Sequence, residues 1–536
     1  MIRQNIHRRE FLRRSSAAAL LSLLPRSGVW AASAASDKRP NVLFLFSDQH
    51  QAGVASYAGS ANVSTPNFDR LTREGTHFAR AYCQDGVCMP SRNSIYTGQY
   101  CRTLGLLANE DWNCMRPETI SRNIPLQRIF KSAGYYTFTA GKRHLMPALD
   151  TDWDYAAGDI MTKPLDLWSR EPRDNINYWN WVEGRGLLPQ ARADFAVEMG
   201  KSYGGPRQPL ACAISKLPPD ATMEAFAASQ TIQFLKSAQA KKQPFFAWST
   251  FYRPHQPYTP QAQFADKVDY ASLKLPSTIW QKPEELPPTL CQGRRSKVLC
   301  WDLGDATEAM YRRYIGYYSA LVTEIDHHIG SILDTLDREG LAENTIIVYS
   351  SDHGDFVAGH GMIEKFCWGH NVYEETLRVP LLFRWPGKIG AGVTRQDLVE
   401  LVDLYPTLLS LCGIDLPGSA VTPVGRDISP TLTRQTPVGR PCVISENIFQ
   451  ASVITDDFKY AQWLNCPGPR NNFQKWGNML FDRVNDPGEA RNLIASPAHA
   501  AQRDKLAGYL RDWASRIDDR GRRDLFATAK TEYAVL

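Results

Sequence analysis

The chain has 536 residues, of which 43% are hydrophobic and 22% are charged, a composition typical of globular proteins that excludes intrinsic disorder. A chain of this length favours a large domain accompanied by a smaller one. The formal net charge of +5 arises from residues 1–34, which hold six arginines and one acidic residue. The remaining chain is neutral overall, so its net charge does not indicate a nucleic acid or an anionic membrane as a partner.

The first 34 residues have the features of an export signal. An arginine-rich run, His7–Arg13, is followed by an apolar stretch, Ala17–Leu24, and by small residues at Ala32–Ala34 that suit cleavage. The apolar stretch is about half of the roughly 20 residues that cross a bilayer, which disfavours a membrane anchor. The run resembles the twin-arginine export signal. We therefore expect an exported protein, periplasmic or secreted, that uses the twin-arginine machinery and has no membrane span in its mature form.

Four apolar runs with the composition of buried strands each end in polar residues. They are Asn41–Phe46, followed by Asp48 and Gln49; Tyr135–Thr139, followed by Lys142, Arg143 and His144; Phe245–Thr250, followed by His255; and Thr345–Tyr349, followed by Asp352 and His353. Helical spacing is visible in Ile124–Gly134, Ala221–Ala238 and Tyr311–Asp337. This alternation predicts an α/β fold with a large, mainly parallel central sheet flanked by helices. Ligands of such sheets bind beyond the carboxyl ends of the strands, so the four polar clusters are expected to form one site.

The pattern changes near residue 435. Pro430–Pro441 is rich in proline, threonine and arginine and predicts a linker. Short strand-like runs and a final helical pattern follow, at Cys442–Ser445, Ala451–Thr455, Lys459–Trp463 and Ala501–Arg516. We predict a catalytic domain over residues 38–435 and a small C-terminal domain over residues 436–536, an antiparallel sheet with one helix.

Cys88 is the most informative cysteine of the chain. It precedes Pro90-Ser91-Arg92 and a predicted helix over Asn93–Tyr100. Proline suits the first turn of a helix, and a helix N-terminus with an arginine nearby favours an anion. The surrounding residues therefore place Cys88 beside an anion site. A buried structural thiol is the alternative, and these residues alone do not decide between the two interpretations.

The run Cys88–Arg92, with Thr97-Gly98 after it, resembles the signature of the formylglycine-dependent sulfatases of the alkaline-phosphatase-like superfamily. The resemblance implies hydrolysis of a sulfate ester with release of inorganic sulfate. In that family a formylglycine-generating enzyme converts the cysteine to formylglycine (3-oxoalanine), which hydrates to a geminal diol. One hydroxyl attacks sulfur and displaces the alcohol, and deprotonation of the second expels sulfate. A thiol cannot perform this elimination.

The resemblance extends to a metal site. Asp48-Gln49 and Asp352-His353 resemble the two metal-binding pairs of the family, and with the residue made from Cys88 they imply one divalent ion. Oxygen ligands favour calcium, with magnesium as an alternative. The imidazole of His353 leaves manganese open. A turn or helix cap is the structural alternative for Asp48 taken alone.

The motif Gly141–Leu145 resembles the family's Gly-Lys-Trp-His-Leu. This resemblance implies that Lys142 binds sulfate and that His144 is the base of the elimination step. Arg143 stands where the family usually has tryptophan, so contacts with the substrate are expected to differ there.

Three further residues complete the implied site. His255, in Arg253–Pro257, matches the histidine that faces the leaving group and is the implied general acid and a substrate ligand. Lys365 matches the second sulfate-binding lysine. Arg92 is implied to hold the formylglycine and the metal ligands in place.

Long irregular stretches at Asp150–Pro218 and Gln261–Trp301 are expected to lie over the sheet, where specificity usually resides. The first holds several aromatic residues, namely Trp153, Trp168, Tyr178, Trp179 and Trp181. Exposed rings would stack on a sugar and indicate a sulfated carbohydrate, whereas buried rings would only fill the core. A phosphonate monoester or phosphodiester hydrolase of the same superfamily is one alternative function. A non-catalytic glycan-binding relative is another, against which the retained site residues argue.

Overall fold

The computed structural model describes residues 39–107, 109, 122–158, 175–197, 209–295, 303–365, 372–418, 420–447, 450–463 and 478–517. The predicted export signal of residues 1–34 lies outside these ranges, as does Trp168. Within them, no helix has both the length and the apolar character needed to cross a membrane.

A large mixed sheet forms the centre of the molecule. Its strands are β1 (Asn41–Asp48), β2 (Thr76–Tyr82), β3 (Tyr136–Gly141), β4 (Tyr155–Ala157), β5 (Phe245–Pro254), β6 (Thr345–Ser351), β7 (Arg378–Val379), β8 (Leu381–Arg384) and β9 (Val393–Glu400). Their order is β4-β3-β5-β1-β6-β8-β2-β7, with β9 beside β2. The pairs from β4 to β6 are all parallel, whereas β8 runs antiparallel to β6 and β2. The predicted α/β fold with a mainly parallel sheet is confirmed.

Helices cover the sheet. The described helices are α1 (Pro66–Glu74), α2 (Cys88–Thr97), α3 (Cys101–Leu104), α4 (Leu126–Ser132), α5 (Tyr178–Glu183), α6 (Leu188–Ala196), α7 (Met223–Lys236), α8 (Ala238–Lys242), α9 (Ala262–Ala265), α10 (Pro288–Arg294), α11 (Glu308–Arg338), α12 (Glu374–Leu377), α13 (Leu404–Leu411), α14 (Ser429–Arg434) and α15 (Ala500–Arg516). Every residue of β1, β5 and β6 is buried, which explains their unbroken apolar character. Helix α7 begins where Thr222 accepts a hydrogen bond from the amide of Ala225, and Thr307 caps α11 in the same way.

A smaller antiparallel sheet follows in the chain. It contains β10 (Val443–Glu446), β11 (Gln450–Ile454), β12 (Phe458–Trp463) and β13 (Met479–Asp482), paired in that order. Helix α15 packs Leu506, Leu510 and Trp513 against this sheet in an apolar cluster. The segment predicted as a linker begins with α14, because Pro430 is tolerated in a first helical turn. Both sheets belong to one compact unit, and the boundary near residue 435 stays a prediction.

Candidate active site

The topology brings the four polar clusters together. Strands β3, β5, β1 and β6 are parallel neighbours in that order, so their carboxyl ends lie along one edge of the sheet. Lys142, His255 and Asp352 each follow directly on one of these strands, and Asp48 is the last residue of β1.

Cys88 begins α2, five residues earlier than the predicted start of this helix. Its Sγ lies 3.1 Å from Nε2 of His353, 3.6 Å from Oδ1 of Asp48 and 3.9 Å from Nζ of Lys142. Burial, together with the charge of Asp48, raises the pKa of the Cys88 thiol to about 12. At neutral pH the sulfur is therefore protonated, and the unmodified thiol is a poor nucleophile.

Four of the five predicted metal ligands converge. The ligand atoms of Asp48, Cys88, Asp352 and His353 lie within 4.8 Å of one another, and all four residues are buried. Nδ1 of His353 donates a hydrogen bond to the carbonyl of Gly354 at 2.9 Å, which leaves the lone pair of Nε2 facing the cluster. Burial lowers the pKa of His353 and keeps the imidazole neutral, the form that binds metals.

The two carboxylates of the cluster are held in fixed orientations. Oδ1 of Asp352 accepts hydrogen bonds from the amides of Gln49 at 3.0 Å and His353 at 2.9 Å. Oδ2 of Asp48 accepts from Nζ of Lys142 at 2.6 Å, and its Oδ1 faces Nε2 of His353 at 3.9 Å. Burial raises the pKa of Asp48, but Lys142 and its other cationic neighbours outweigh this effect and hold it well below the usual range. Paired carboxylates with a neutral imidazole suit a divalent cation.

Arg92 joins the ends of three strands through its hydrogen bonds. Its Nε donates to Asp352 Oδ2 at 2.7 Å, its Nη2 donates to Asp48 Oδ2 at 3.0 Å, and its Nη1 donates to the carbonyl of Lys142 at 2.6 Å. The guanidinium carbon lies 5.1 Å from the ring centroid of Phe46 and is fully buried. Arg92 therefore fixes three loops relative to one another, because its planar donors point in set directions.

Gln49 lies beside the cluster with a left-handed backbone, at φ 70°. Its Oε1 accepts from Nζ of Lys365 at 2.9 Å, and its Nε2 donates to Oδ2 of Asp355 at 2.7 Å. Asp355 thereby orients the side-chain carbonyl of Gln49 toward Lys365. Ligation of a metal by Gln49 stays a prediction.

His255 and Lys365 form a buried pair. Nζ of Lys365 lies 3.1 Å from Nε2 of His255, and Nδ1 of His255 donates to the carbonyl of Gln256 at 2.8 Å. Burial lowers the pKa of His255 well below its usual value, and the charges of Lys365 and Lys142 lower it further. Burial alone would lower the pKa of Lys365, but Glu364 and its other anionic neighbours raise it above its usual value. The pair therefore consists of a neutral imidazole and an ammonium group.

Arg143 and His144 follow the end of β3, and their side chains lie in different environments. His144 is buried at φ 50°, and burial, with the charges of Lys142 and Arg92, lowers its pKa well below the usual value. Nε of Arg143 lies 2.9 Å from the carboxylate of Asp150, which also accepts from Nε1 of Trp153 at 2.9 Å. The arginine that replaces the family's tryptophan is therefore buried in an ion pair.

The aromatic residues of the first long stretch pack inward. Tyr178 and Trp179 belong to the main apolar core, and Trp153 and Trp181 pack against it. This is the arrangement that the core-filling alternative predicts.

Asp355 and Glu364 contact the site but were not predicted from the sequence. The one signal for them in the sequence is their position next to predicted site residues, Asp355 near Asp352 and Glu364 beside Lys365.

Comparison with known proteins supports a single family. The sulfatase family model matches residues 40–414. An ulvan-active sulfatase from Formosa agariphila is 26% identical over 495 residues, covering 90% of this chain and 82% of that protein. A phosphonate monoester hydrolase structure from Silicibacter pomeroyi has a TM-score of 0.73 at 24% identity and covers 90% of this chain and 97% of that one. The structure of a protein in complex with its substrate D-glucosamine-2-N,6-O-disulfate has a TM-score of 0.65 at 21% identity. The match covers 91% of this chain and 100% of that one.

Proposed function

Because this chain belongs to the sulfatase family, and is accordingly a sulfuric ester hydrolase with the alkaline-phosphatase-like fold, we propose that it hydrolyses a sulfate ester of a carbohydrate through formylglycine made from Cys88. The surroundings of Cys88 carry this proposal. The side chain lies among Asp48, Lys142 and His353, at the first residue of a helix. Its neutral, buried thiol is unsuited to attack, whereas its position suits a modified nucleophile.

Residue 88 is an unmodified cysteine in the structure, and its Sγ marks where the oxygens of formylglycine would lie. Hydrated formylglycine supplies one hydroxyl that attacks sulfur and a second whose deprotonation expels sulfate. Lys142 and Lys365 place two buried ammonium groups beside this position. We assign both to the sulfate oxygens, because charge-assisted hydrogen bonds are the strongest that a site of this kind offers.

The two histidines are assigned to proton transfer. His144 is neutral and buried, so it is able to accept a proton in the elimination step. Nε2 of His255 faces the ammonium of Lys365 and carries no proton in the unbound site, because Nδ1 is the protonated nitrogen. We assign Nε2 as the donor to the leaving alcohol once a bound ester has favoured its protonation. The negative charge of a bound sulfate ester raises the proton affinity of nearby imidazoles, which favours both roles.

A divalent cation would be held by Asp48, Gln49, Asp352 and His353, with residue 88 as a further ligand. The oxygen-rich set supports calcium, with magnesium and manganese as alternatives. When bound, the cation supplies positive charge that stabilises the negative oxygens of the sulfate group. Elemental analysis of the purified protein identifies the ion.

The carbohydrate part of the proposal rests on the relatives. One is named for its activity on ulvan, and a solved structure of the same fold holds a sulfated glucosamine as its substrate. A desulfation screen over sulfated glycans, aryl sulfates and choline sulfate tests this part. Release of sulfate from aryl sulfates or choline sulfate, with none from any glycan, would contradict it.

The nucleophile is tested by replacing Cys88 in protein matured by a formylglycine-generating enzyme. We expect Cys88→Ala to reduce sulfate release by at least about 1000-fold, because the covalent route is lost. Cys412→Ala, which removes another buried cysteine away from the site, serves as the control and should stay active. Mass spectrometry of the peptide around residue 88 is expected to show formylglycine. An unmodified thiol in active enzyme would overturn the mechanism, and full biological activity of Cys88→Ala would favour the non-catalytic alternative.

A phosphonate monoester or phosphodiester hydrolase is the second candidate, favoured by the TM-score of 0.73 to an enzyme of that kind. The nucleophile and metal ligands would be the same. The ratio of kcat/KM for a sulfate monoester to that for a matched phosphate diester separates the two functions.

We also propose that the leader directs twin-arginine export to the periplasm or beyond. The adjacent Arg8 and Arg9 support this assignment. Replacing both with lysine should retain the protein in the cytoplasm, as measured by cell fractionation.

A further inference from the structure

Glu364 closes a ring of hydrogen bonds beside the site. Its Oε1 accepts from Nζ of Lys365 at 2.9 Å and from Nε2 of Gln256 at 2.5 Å. Nζ of Lys365 also donates to Oε1 of Gln49 at 2.9 Å, and Nε2 of Gln49 donates to Oε1 of Gln256 at 3.2 Å. All four side chains are buried. One carboxylate oxygen thus joins the loop that carries Lys365 to the loop that carries His255.

This ring holds His255 from two sides. Nδ1 of His255 donates to the backbone carbonyl of Gln256, and Nε2 faces the ammonium of Lys365 at 3.1 Å. Because Glu364 binds both Gln256 and Lys365, it fixes the distance between the ammonium and the imidazole. We propose that Glu364 is a positioning residue that sets Lys365 for sulfate binding and His255 for protonation of the leaving group. This inference rests on the proposed function.

Two effects of Glu364 on a bound sulfate oppose each other. Its negative charge lies next to an anion site and by itself weakens anion binding. Its hydrogen bond holds a long, flexible lysine that would otherwise lose its fixed position. Oε2 of Glu364 makes no hydrogen bond among the described residues, so the two bonds on Oε1 are what offsets the burial of this carboxylate. We infer that the positioning effect outweighs the repulsion.

The Glu364→Gln variant separates the two effects. It removes the charge but keeps the shape, so repulsion alone predicts tighter binding of inorganic sulfate. Positioning predicts the opposite, because the amide oxygen of glutamine holds the ammonium of Lys365 less strongly than a carboxylate oxygen does. We then expect the Kd for sulfate to rise by about 10-fold in calorimetry of the matured enzyme. Glu364→Asp keeps the charge but is too short to reach both partners. Positioning predicts weaker sulfate binding for this variant as well, whereas an effect of charge alone predicts no change.

Steady-state kinetics test whether Glu364 acts through Lys365 and His255. We expect kcat/KM of Glu364→Gln to fall more for a sulfate ester with a poor leaving group than for an activated aryl sulfate, since protonation by His255 matters more for the former. If Glu364 acts through Lys365, adding Glu364→Gln to Lys365→Ala should cause little further loss. Glu324→Gln, which changes a buried glutamate outside the ring, is the control. It should leave the sulfate Kd and the kcat/KM values unchanged.

Tighter sulfate binding by Glu364→Gln, or fully additive losses in the double variant, would overturn the inference. Thermal unfolding and the formylglycine content of each variant show whether a loss reflects folding or maturation instead. If the wild-type enzyme releases no sulfate from any ester, the proposed function fails, whereas the sulfate Kd values still test whether Glu364 positions Lys365.

Discussion

Burial and charged neighbours together set the protonation states of Cys88, His353 and Asp48. Burial keeps the thiol of Cys88 and the imidazole of His353 neutral, because both lose the solvation that would stabilise their charged forms. Asp48 is equally buried but stays ionised, because Lys142 and Arg92 lie within 3.0 Å of its Oδ2. Neutral and charged ligands therefore coexist within a few ångströms, as a cation site requires.

Burial also acts on Glu324, away from the site. Burial, with Glu224 nearby, raises the pKa of Glu324 to about 8, whereas a glutamate in an unfolded chain has a pKa of about 4.3. Between these two pH values the folded state binds the extra proton, so stability falls as the pH rises through this window. We expect Glu324→Gln to raise the free energy of unfolding at pH 8 by about 2 to 4 kcal/mol, with no gain at pH 4.

Urea denaturation at pH 4 and pH 8 measures this effect. An equal change at both values would contradict the assigned protonation, because only an ionising group makes the gain depend on pH.

At the level of elements, the end of β3 has no room for a side chain beside β5. Gly141 has φ 91°, and a Cβ atom at this position would lie 1.8 Å from the carbonyl oxygen of Thr250 in β5. The next residue is Lys142. We expect Gly141→Ala to lower the free energy of unfolding by more than about 2 kcal/mol and to reduce turnover, because the strand end must move.

Gly340→Ala is the matched control for this change. Gly340 also has a positive φ, 68°, but beyond its own chain neighbours no atom of the described residues lies within 4 Å of its added Cβ. It should cost only about 1 kcal/mol and leave turnover unchanged. Denaturant unfolding and initial rates on one sulfate ester measure both variants, and similar effects of the two would exclude the contact with Thr250 as the cause.

At the scale of the whole molecule, an ion cluster joins the small sheet to helix α12, which leads directly into β7 of the large sheet. Nζ of Lys459 in β12 lies 2.6 Å from Oε1 of Glu489 and 3.3 Å from Oε2 of Glu374, which begins α12. Lys459→Met leaves both carboxylates without this cation. We expect the free energy of unfolding to fall by about 3 kcal/mol, as is usual when one partner of a buried ion pair is removed.

The exposed pair between Lys241 and Glu339 provides the comparison. Its separation is also 2.6 Å, but the lysine side chain is 48% exposed. Lys241→Met should change stability by less than about 1 kcal/mol. Chemical denaturation of both variants tests the contrast, which would fail if the two changes were equally costly.

The amino-acid sequence alone was enough to predict the fold class and the edge of the sheet at which polar residues gather. Unbroken apolar runs such as Asn41–Phe46 are characteristic of strands buried on both faces, and the carboxyl ends of parallel strands meet at one edge. The polar residues after each run were therefore expected together, and Asp48, Lys142, His255 and Asp352 do lie together.

The sequence predicted the ends of helices and the shortest strands less well where no side chain marks the boundary. Helix α2 begins at Cys88 after Val87, which makes no side-chain hydrogen bond to the helix, so its start was predicted five residues late. Strand β13 spans only Met479–Asp482 and was not predicted, because so short a run carries little periodicity.

Only the tertiary structure decided how the site residues are held and which of them are charged. Glu364 and Gln256 are 108 residues apart in the chain, and no local pattern indicates that one carboxylate oxygen joins them. The neutral state of Cys88 and the ionised state of Asp48 likewise depend on burial and on neighbours from other strands. Periodicity determines which side chains a strand end presents, whereas electrostatics and hydrogen bonding depend on distances that exist only after the strands have paired.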